Sequence, residues 1–194
     1  LPVDLLVIDK IEADDVIGYL ARELPEKVVV YSSDKDYLQL VSDRVTVFSP
    51  IKKKFYTMKS VKEEFGLPAK NFLTQKILLG DTSDNVPGVK GLGLKTLLKM
   101  YPELGTEELI TLEDILENSQ GKPGRYGNVI NFTNQLLINR QLMDLVNVNI
   151  PDEDVITIQE VLDNPNDQMD TLSFLKLYNE DSLGNSISNV HMWL

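Results

Sequence analysis

Apolar residues recur along this chain with two different periods. VDLLVI (3–8) and KVVVYSS (27–33) are continuous apolar runs bounded by charged residues, the pattern of strands covered on both faces. Between them ADDVIGYLAREL sets Val16, Ile17, Leu20 and Leu24 at helical spacing. Strand, helix, strand in that order predicts a right-handed βαβ unit. RVTVFS (44–49) predicts a third strand and KKKFYT (52–57) a short edge piece, while helical patterning dominates from Ser60 onward. SVKEEF reads as a helix start, with Ser60 three residues before Glu63 in a capping-box pattern. NFLTQKILLG (71–80) and LKTLLKMY (94–101) predict two helices joined by glycines, the second stopped by Pro102. NSQGKPGRYGN (118–128) reads as a flexible break, and the segment from Asn128 to Leu145 as one long helix. Weaker helical pieces follow at 157–163 and 171–178, without an internal repeat.

Length and composition bound what this pattern can build. The chain has 194 residues, suiting one domain or one domain with a helical extension. It has no cysteine, so a disulfide framework is excluded. No apolar run approaches the ~20 residues that span a bilayer, and the opening LPVDLLVID is too short and acidic for a signal peptide. A cytoplasmic protein without a membrane partner is the expectation. The chain enters at Leu1 directly on an apolar run, which reads as a fragment of something longer. A formal charge of −11 argues against a nucleic-acid partner unless the acids gather around bound cations, which invert the local field.

Position therefore decides. Glu12, Asp14 and Asp15 lie between the first predicted strand and its helix, and Asp34 and Asp36 follow KVVVY. In a parallel α/β sheet, functional groups gather at these carboxyl ends of strands. A third pair, Asp81 and Asp84, stands one helical turn apart in GDTSD. Any one of these clusters could be ordinary helix capping. Together they would repel or take up protons without a counter-charge, and hard divalent cations remove that conflict. Seven acids from three loops suit a two-ion site with a spacing of ~3.5–4 Å. An EF-hand is a poorer fit, because DTSDNV lacks the glycine and later glutamate of that loop.

The glycines beside the third pair point to phosphate. In PGVKGLGLKT, Gly88, Gly91 and Gly93 let the backbone turn sharply and approach a ligand, and Lys90, Lys95 and Lys99 add cationic contacts. The bland alternative is a tight corner between two helices.

With these residues in view the sequence resembles the five-prime nuclease family, which includes flap endonucleases, the exonuclease domain of bacterial DNA polymerase I and phage ribonuclease H. The matching motifs are EADD (12–15), SDKD (33–36), GDTSDN (80–85) and GVKGLGLKT (88–96), in family order. The resemblance is clearest over residues 3–102, and RQLMDLVNVNIP and the closing SISNVHMWL also look like the family's C-terminal part. The short loops and compact tail look most phage-like.

The resemblance implies an α/β fold: a small parallel sheet flanked by helices, a PIN-like nuclease core whose first strand and arch are missing. It also implies a helix-three-turn-helix and a helical C-terminal part. The corresponding boundaries are 1–60 for the partial metal-binding core, 61–105 for the DNA-binding region and 106–194 for the helical remainder. By position, Glu12, Asp14 and Asp15 would serve a first metal, and Asp34, Asp36, Asp81 and Asp84 a second. Two Mg2+ or Mn2+ ions are implied, with K+ at the helix-three-turn-helix. Gly88, Lys90, Gly91, Gly93, Lys95, Thr96 and Lys99 would face DNA. Implied substrates are flap, nicked or 5'-ended duplex DNA, or an RNA–DNA hybrid, hydrolysed by metal-activated water without a histidine base. His191, the single histidine, reads as a tail or packing residue.

The missing strand would leave a narrow sheet with an exposed apolar flank, unless the N-terminal part comes from another chain. A monomer, inactive by itself, is expected. The alternative class is a non-catalytic binder of duplex or junction DNA with a vestigial acidic cluster. An unrelated metal-dependent phosphatase or ribonuclease on a similar sheet would leave the glycine turn unexplained.

Overall fold

The computed structural model describes residues 3–166 and 170–180. It divides into two compact units, one of residues Glu12–Asn149 and one of Leu1–Ile11 with Ile150–Leu194.

The larger unit begins with α1 (Ala13–Glu23), followed by β1 (Val28–Tyr31), β2 (Val45–Ser49) and β3 (Lys54–Tyr56). β1 and β2 are parallel, with Val28 opposite Val45. β3 pairs antiparallel with β2, so the sheet is mixed rather than wholly parallel. The cause is the connection: residues 50–53 are too few for a crossover, and a short link between neighbouring strands reverses the chain. α2 (Met58–Phe65), α3 (Phe72–Leu79), α4 (Leu94–Met100), α5 (Leu112–Ser119), α6 (Arg125–Asn131) and α7 (Thr133–Met143) complete the unit.

Several sequence expectations are corrected. The run at 3–8 is extended but belongs to no ladder, and Val3, Leu5 and Val7 are 63, 83 and 78% exposed. A strand exists only through its neighbour's hydrogen bonds, so without one an apolar run does not become a strand. The expected βαβ unit therefore does not form. The crossover joining the parallel pair instead runs through a 3-10 turn at Asp36–Leu40. α2 is capped by Thr57, not Ser60: Ser60 N donates to Thr57 Oγ1 at 3.3 Å, and Thr57 N donates to Ser60 Oγ at 2.8 Å. The single helix expected from Asn128 starts earlier, at Arg125, and breaks at Phe132. The glycine-rich segment before it is no free linker, since Tyr126 donates its hydroxyl to Met100 O at 3.1 Å and stacks edge-on against Tyr101. α5 was not foreseen, although Thr111 and Asp114 form a capping box at its start.

Two apolar cores organise this unit. Val30, Val45, Val47 and Tyr56 on one face of the sheet pack with Ala21, Val61, Leu67 and Phe72. Ile77, Leu78, Leu97, Tyr101, Leu104, Ile115, Val129 and Leu136 form the second. α3 contributes Phe72 to the first and Ile77 and Leu78 to the second, so it carries apolar residues toward both, with Thr74 and Lys76 buried among them. On the sheet's other face Val29, Tyr31 and Phe55 are exposed, and Phe48 stacks between Tyr31 and Phe55 at 5.1 and 4.7 Å. This face of the sheet is therefore apolar and exposed.

In the smaller unit, α8 (Asp152–Asp163) and α9 (Thr171–Glu180) cover both weak helical predictions. Asn166 N donates to Asp4 Oδ1 at 2.8 Å within it. His191 and the SISNVHMWL motif lie outside the described residues. Among the described residues no helix is long and apolar enough to cross a membrane.

Candidate metal centre and nucleic-acid surface

The acids come from three local structures. Glu12 occupies the N-cap position of α1 without a side-chain cap bond, and Asp14 and Asp15 stand in its first turn, where the helix dipole favours negative charge. Asp34 and Asp36 follow β1, with Asp36 N donating to Asp34 Oδ1 at 2.8 Å in a tight turn. Asp81 opens a loop closed by two backbone bonds with Val86, at 2.8 and 2.7 Å. Asn85 takes a positive φ of 57° inside that loop. Asp81 and Asp84 therefore stand on a closed loop and not on a helical turn.

Asp36, Asp81 and Asp84 converge, with one carboxylate oxygen from each lying within 4.8 Å of the others. Among the described residues, Glu12, Asp14, Asp15 and Asp34 do not join that group. Lys76, which sequence reasoning passed over, reaches into it. Its side chain is 7% exposed and its ammonium pairs with Asp36 and, at 3.3 Å, with Asp81. A signal for it existed, since Lys76 is followed by Ile77, Leu78 and Leu79, and a lysine buried with such residues needs an acid partner. Burial pushes the Asp36 carboxyl up, and the Lys76 hydrogen bond and charge oppose that rise. Hydrogen bonds from the Ser83 hydroxyl and backbone hold Asp81 below its ordinary value.

Tyr37 is the second unforeseen residue. It is buried and donates its hydroxyl to Asp14 Oδ1 at 2.6 Å. Its phenol is pushed up by burial, by that bond, and by the charges of Asp14, Asp34 and Asp36. Tyr37 thus links the acids of α1 to those after β1. Burial and the neighbouring Asp14 likewise raise Asp15. Three carboxylates around one point suit a hard divalent cation, which takes oxygen ligands, and the Lys76 ammonium partly answers the same negative charge. A cavity of about 740 Å3, lined by Arg22, Leu73 and Arg140 among others, includes none of these acids and is not the site of their chemistry.

The glycine turn lies between α3 and α4. Gly88 answers to packing, because a Cβ there would stand 1.9 Å from Leu79 O. Gly91 has φ 82°, a left-handed conformation suited to glycine. Gly93 has nothing within 4 Å of its Cβ position. Lys90, Lys95 and Lys99 are exposed and Thr96 is half-buried.

Residues 1–66 match the family model described as 5'-3' exonuclease, N-terminal resolvase-like domain. The 5'-3' exonuclease of Aquifex aeolicus is 40% identical over 119 residues, covering 60% of this chain and 39% of that protein. DNA polymerase I of Bacillus subtilis is 37% identical over 146 residues, covering 72% and 16%. A bacteriophage T5 flap endonuclease, solved as a pseudo-enzyme-product complex with DNA and metal ions, aligns with a TM-score of 0.62 and 27% identity. That alignment covers 72% of this chain and 52% of the phage protein. The chain thus spans about half or less of these relatives. The motif order, these sequence matches and the α/β fold agree in making the chain similar to proteins of the five-prime nuclease family.

Proposed function

We propose that the chain carries metal-binding and DNA-gripping parts of a structure-specific 5'-nuclease. Its activity is 5'-3' exonuclease and flap endonuclease, hydrolysing phosphodiesters in DNA or RNA–DNA replication intermediates. The observation that carries the reading is the convergence of Asp36, Asp81 and Asp84 at the end of the same helix that runs into the glycine turn.

Asp34, Asp36, Asp81 and Asp84 would hold one divalent cation, Mg2+ or Mn2+, and Glu12, Asp14 and Asp15 a second. Ions bound there would supply positive charge for the phosphate and a more acidic water, the chemistry that phosphodiester hydrolysis needs as the water oxygen bonds to phosphorus and the sugar oxygen leaves. The chain's own groups do the rest. Tyr37 holds Asp14, Ser83 holds Asp81, and buried Lys76 keeps Asp36 and Asp81 together until a cation arrives. Gly91, Gly93, Lys90, Lys95, Thr96 and Lys99 would receive backbone phosphates of a duplex, with Gly88 keeping the turn closed on α3 and K+ on the loop carbonyls. The division of labour is a core within 1–60, a duplex grip within 61–105 and a helical remainder. The working protein is a monomer in the cytoplasm.

The test is a chimera in which the remaining portion of the phage T5 relative completes this chain, incubated with a 5'-labelled flap duplex. Magnesium-dependent release of label that Asp34→Asn and Asp81→Asn abolish, with duplex binding retained, is the expected result. A second reading, a duplex binder with a vestigial acid cluster, is favoured by Lys76 already neutralising two of the acids. Binding without any release would establish it.

A further inference from the structure

Two stretches of this acidic chain, 86–102 and 118–143, contain no aspartate or glutamate. The first includes the glycine turn and α4. The second includes GKPGRYG and α6. They are distant in sequence but adjacent in the fold. Asn128 Nδ2 donates to Lys90 O at 3.4 Å. Arg125 Nε stands 3.9 Å from the Cβ position of Gly91. Lys122 lies over the Tyr126 ring at 4.9 Å.

Several cations elsewhere in the chain are answered by acids, as Lys54, Lys62 and Lys76 are. Within the second stretch Arg140, on α7, also pairs with one, Glu113. Lys90, Lys95, Lys99, Lys122 and Arg125 are exposed, and among the described residues none forms an ion pair with an acid. In a chain of net charge −11, five exposed cations without acid partners on two touching segments form a local positive surface against a negative background. Such a surface fits a polyanion whose charges repeat along a line.

We propose that Arg125, with Lys122 beside it, forms a second wall of the duplex-DNA surface, facing the Lys90 and Lys95 side across the Gly91 turn. Arg125 is a positioning residue that fixes where the duplex lies relative to the acids. This rests on the reading that the glycine turn receives a duplex. It adds a segment that neither the motif order nor the acid cluster brings in. The guanidinium is exposed beside a glycine that lacks a side chain, so a phosphate can approach the guanidinium and the Gly91 backbone together.

The experiment is fluorescence anisotropy of a labelled duplex with the 194-residue chain over a series of salt concentrations. Arg125→Ala should weaken binding by about five- to ten-fold and reduce the slope of log K against log salt by about one phosphate contact. Arg125→Lys should recover most of the slope, because charge suffices for a backbone contact. Lys59→Ala, a cation of α2, is the control for net charge and should leave the slope unchanged. Parental affinity and slope in Arg125→Ala, alongside weakened binding by Lys95→Ala, would overturn the second wall and leave the proposed function standing. Equal losses in Lys59→Ala and Arg125→Ala would also overturn it, by reducing the effect to total charge. Absence of any salt-dependent binding by the parent chain would overturn this inference and the duplex reading together.

Discussion

Gly88 and Gly93 belong to one turn, yet the packing requires a glycine only at Gly88. A Cβ on Gly88 would stand 1.9 Å from Leu79 O and 2.2 Å from its carbonyl carbon, so α3 and the turn would have to separate. Gly88→Ala should cost about 2–4 kcal/mol, the range of backbone clashes inside a packed fold. Gly93 has φ −131° and open space at its Cβ position, so Gly93→Ala should change stability by less than about 0.5 kcal/mol. Urea unfolding of the two variants checks this, and equal small losses would contradict the packing role. Glu64 allows a second test. Hydrogen bonds from Lys54 and Lys52, with a smaller one from Tyr56, hold its carboxyl down at about 2 from an ordinary 4.5. A depressed carboxyl stabilises the fold above its unfolded value, and that stability is lost as pH falls toward the folded value. The melting temperature of the parent should therefore fall more steeply between pH 4.5 and 2 than that of Glu64→Gln. Parallel curves would show that the Lys52–Glu64–Lys54 cluster is too solvated to matter. At this scale the acids were legible because chemistry restricts them to a few residue types at strand ends. Lys76 and Tyr37 were harder to read, because the acids they meet, Asp36 and Asp81 for the lysine and Asp14 for the tyrosine, come together only in space.

Elements were legible where one helix face or one strand face decided them, as for α1, β1, β2, α3 and α4. The misses have physical causes. Residues 3–8 carry a strand's pattern, but a strand needs a neighbour that pattern cannot supply. The break at Phe132 is invisible to periodicity because its N–H still bonds to Asn128 O and Val129 O, at 3.1 Å each. α7 matters to the site through Asn139, which is fully buried and donates to Ile77 O at 2.9 Å and Pro87 O at 2.8 Å. One side chain therefore fastens α7 to both sides of the loop bearing Asp81 and Asp84. Asn139→Leu keeps the volume but leaves both carbonyls without that donor, which should cost about 2–3 kcal/mol. Amide exchange at Val86 and Val89, whose N–H groups close the loop onto Asp81 O and Leu78 O, should accelerate in the same variant. Unchanged exchange would mean that the Asp81–Val86 bridge holds the loop without α7.

Over the whole molecule, 30 acids against 19 lysines and arginines make carboxylate repulsion a standing cost, and the structure concentrates part of it at Asp36, Asp81 and Asp84. Lys76 offsets some of it, but one ammonium cannot neutralise three carboxylates within 4.8 Å. A divalent cation that binds only the folded chain should therefore raise the melting temperature by mass action, with the gain growing as the logarithm of its concentration above the dissociation constant. The local origin of the gain gives variants opposite signs in its presence and absence. Asp84→Asn removes one of the repelling charges, so without metal it should melt slightly higher than the parent. With millimolar magnesium or manganese its gain should be smaller than the parent's, because one ligand is lost. Asp114→Asn, at the start of α5 and outside the cluster, should show the parent's full gain, since its amide oxygen can still accept the Thr111 cap bonds in either condition. Differential scanning calorimetry with EDTA as the reference decides among these. An equal metal response in Asp84→Asn and the parent would place the ion elsewhere on the acidic surface. No response in the parent at millimolar metal would mean that Lys76 alone supplies the counter-charge these aspartates require.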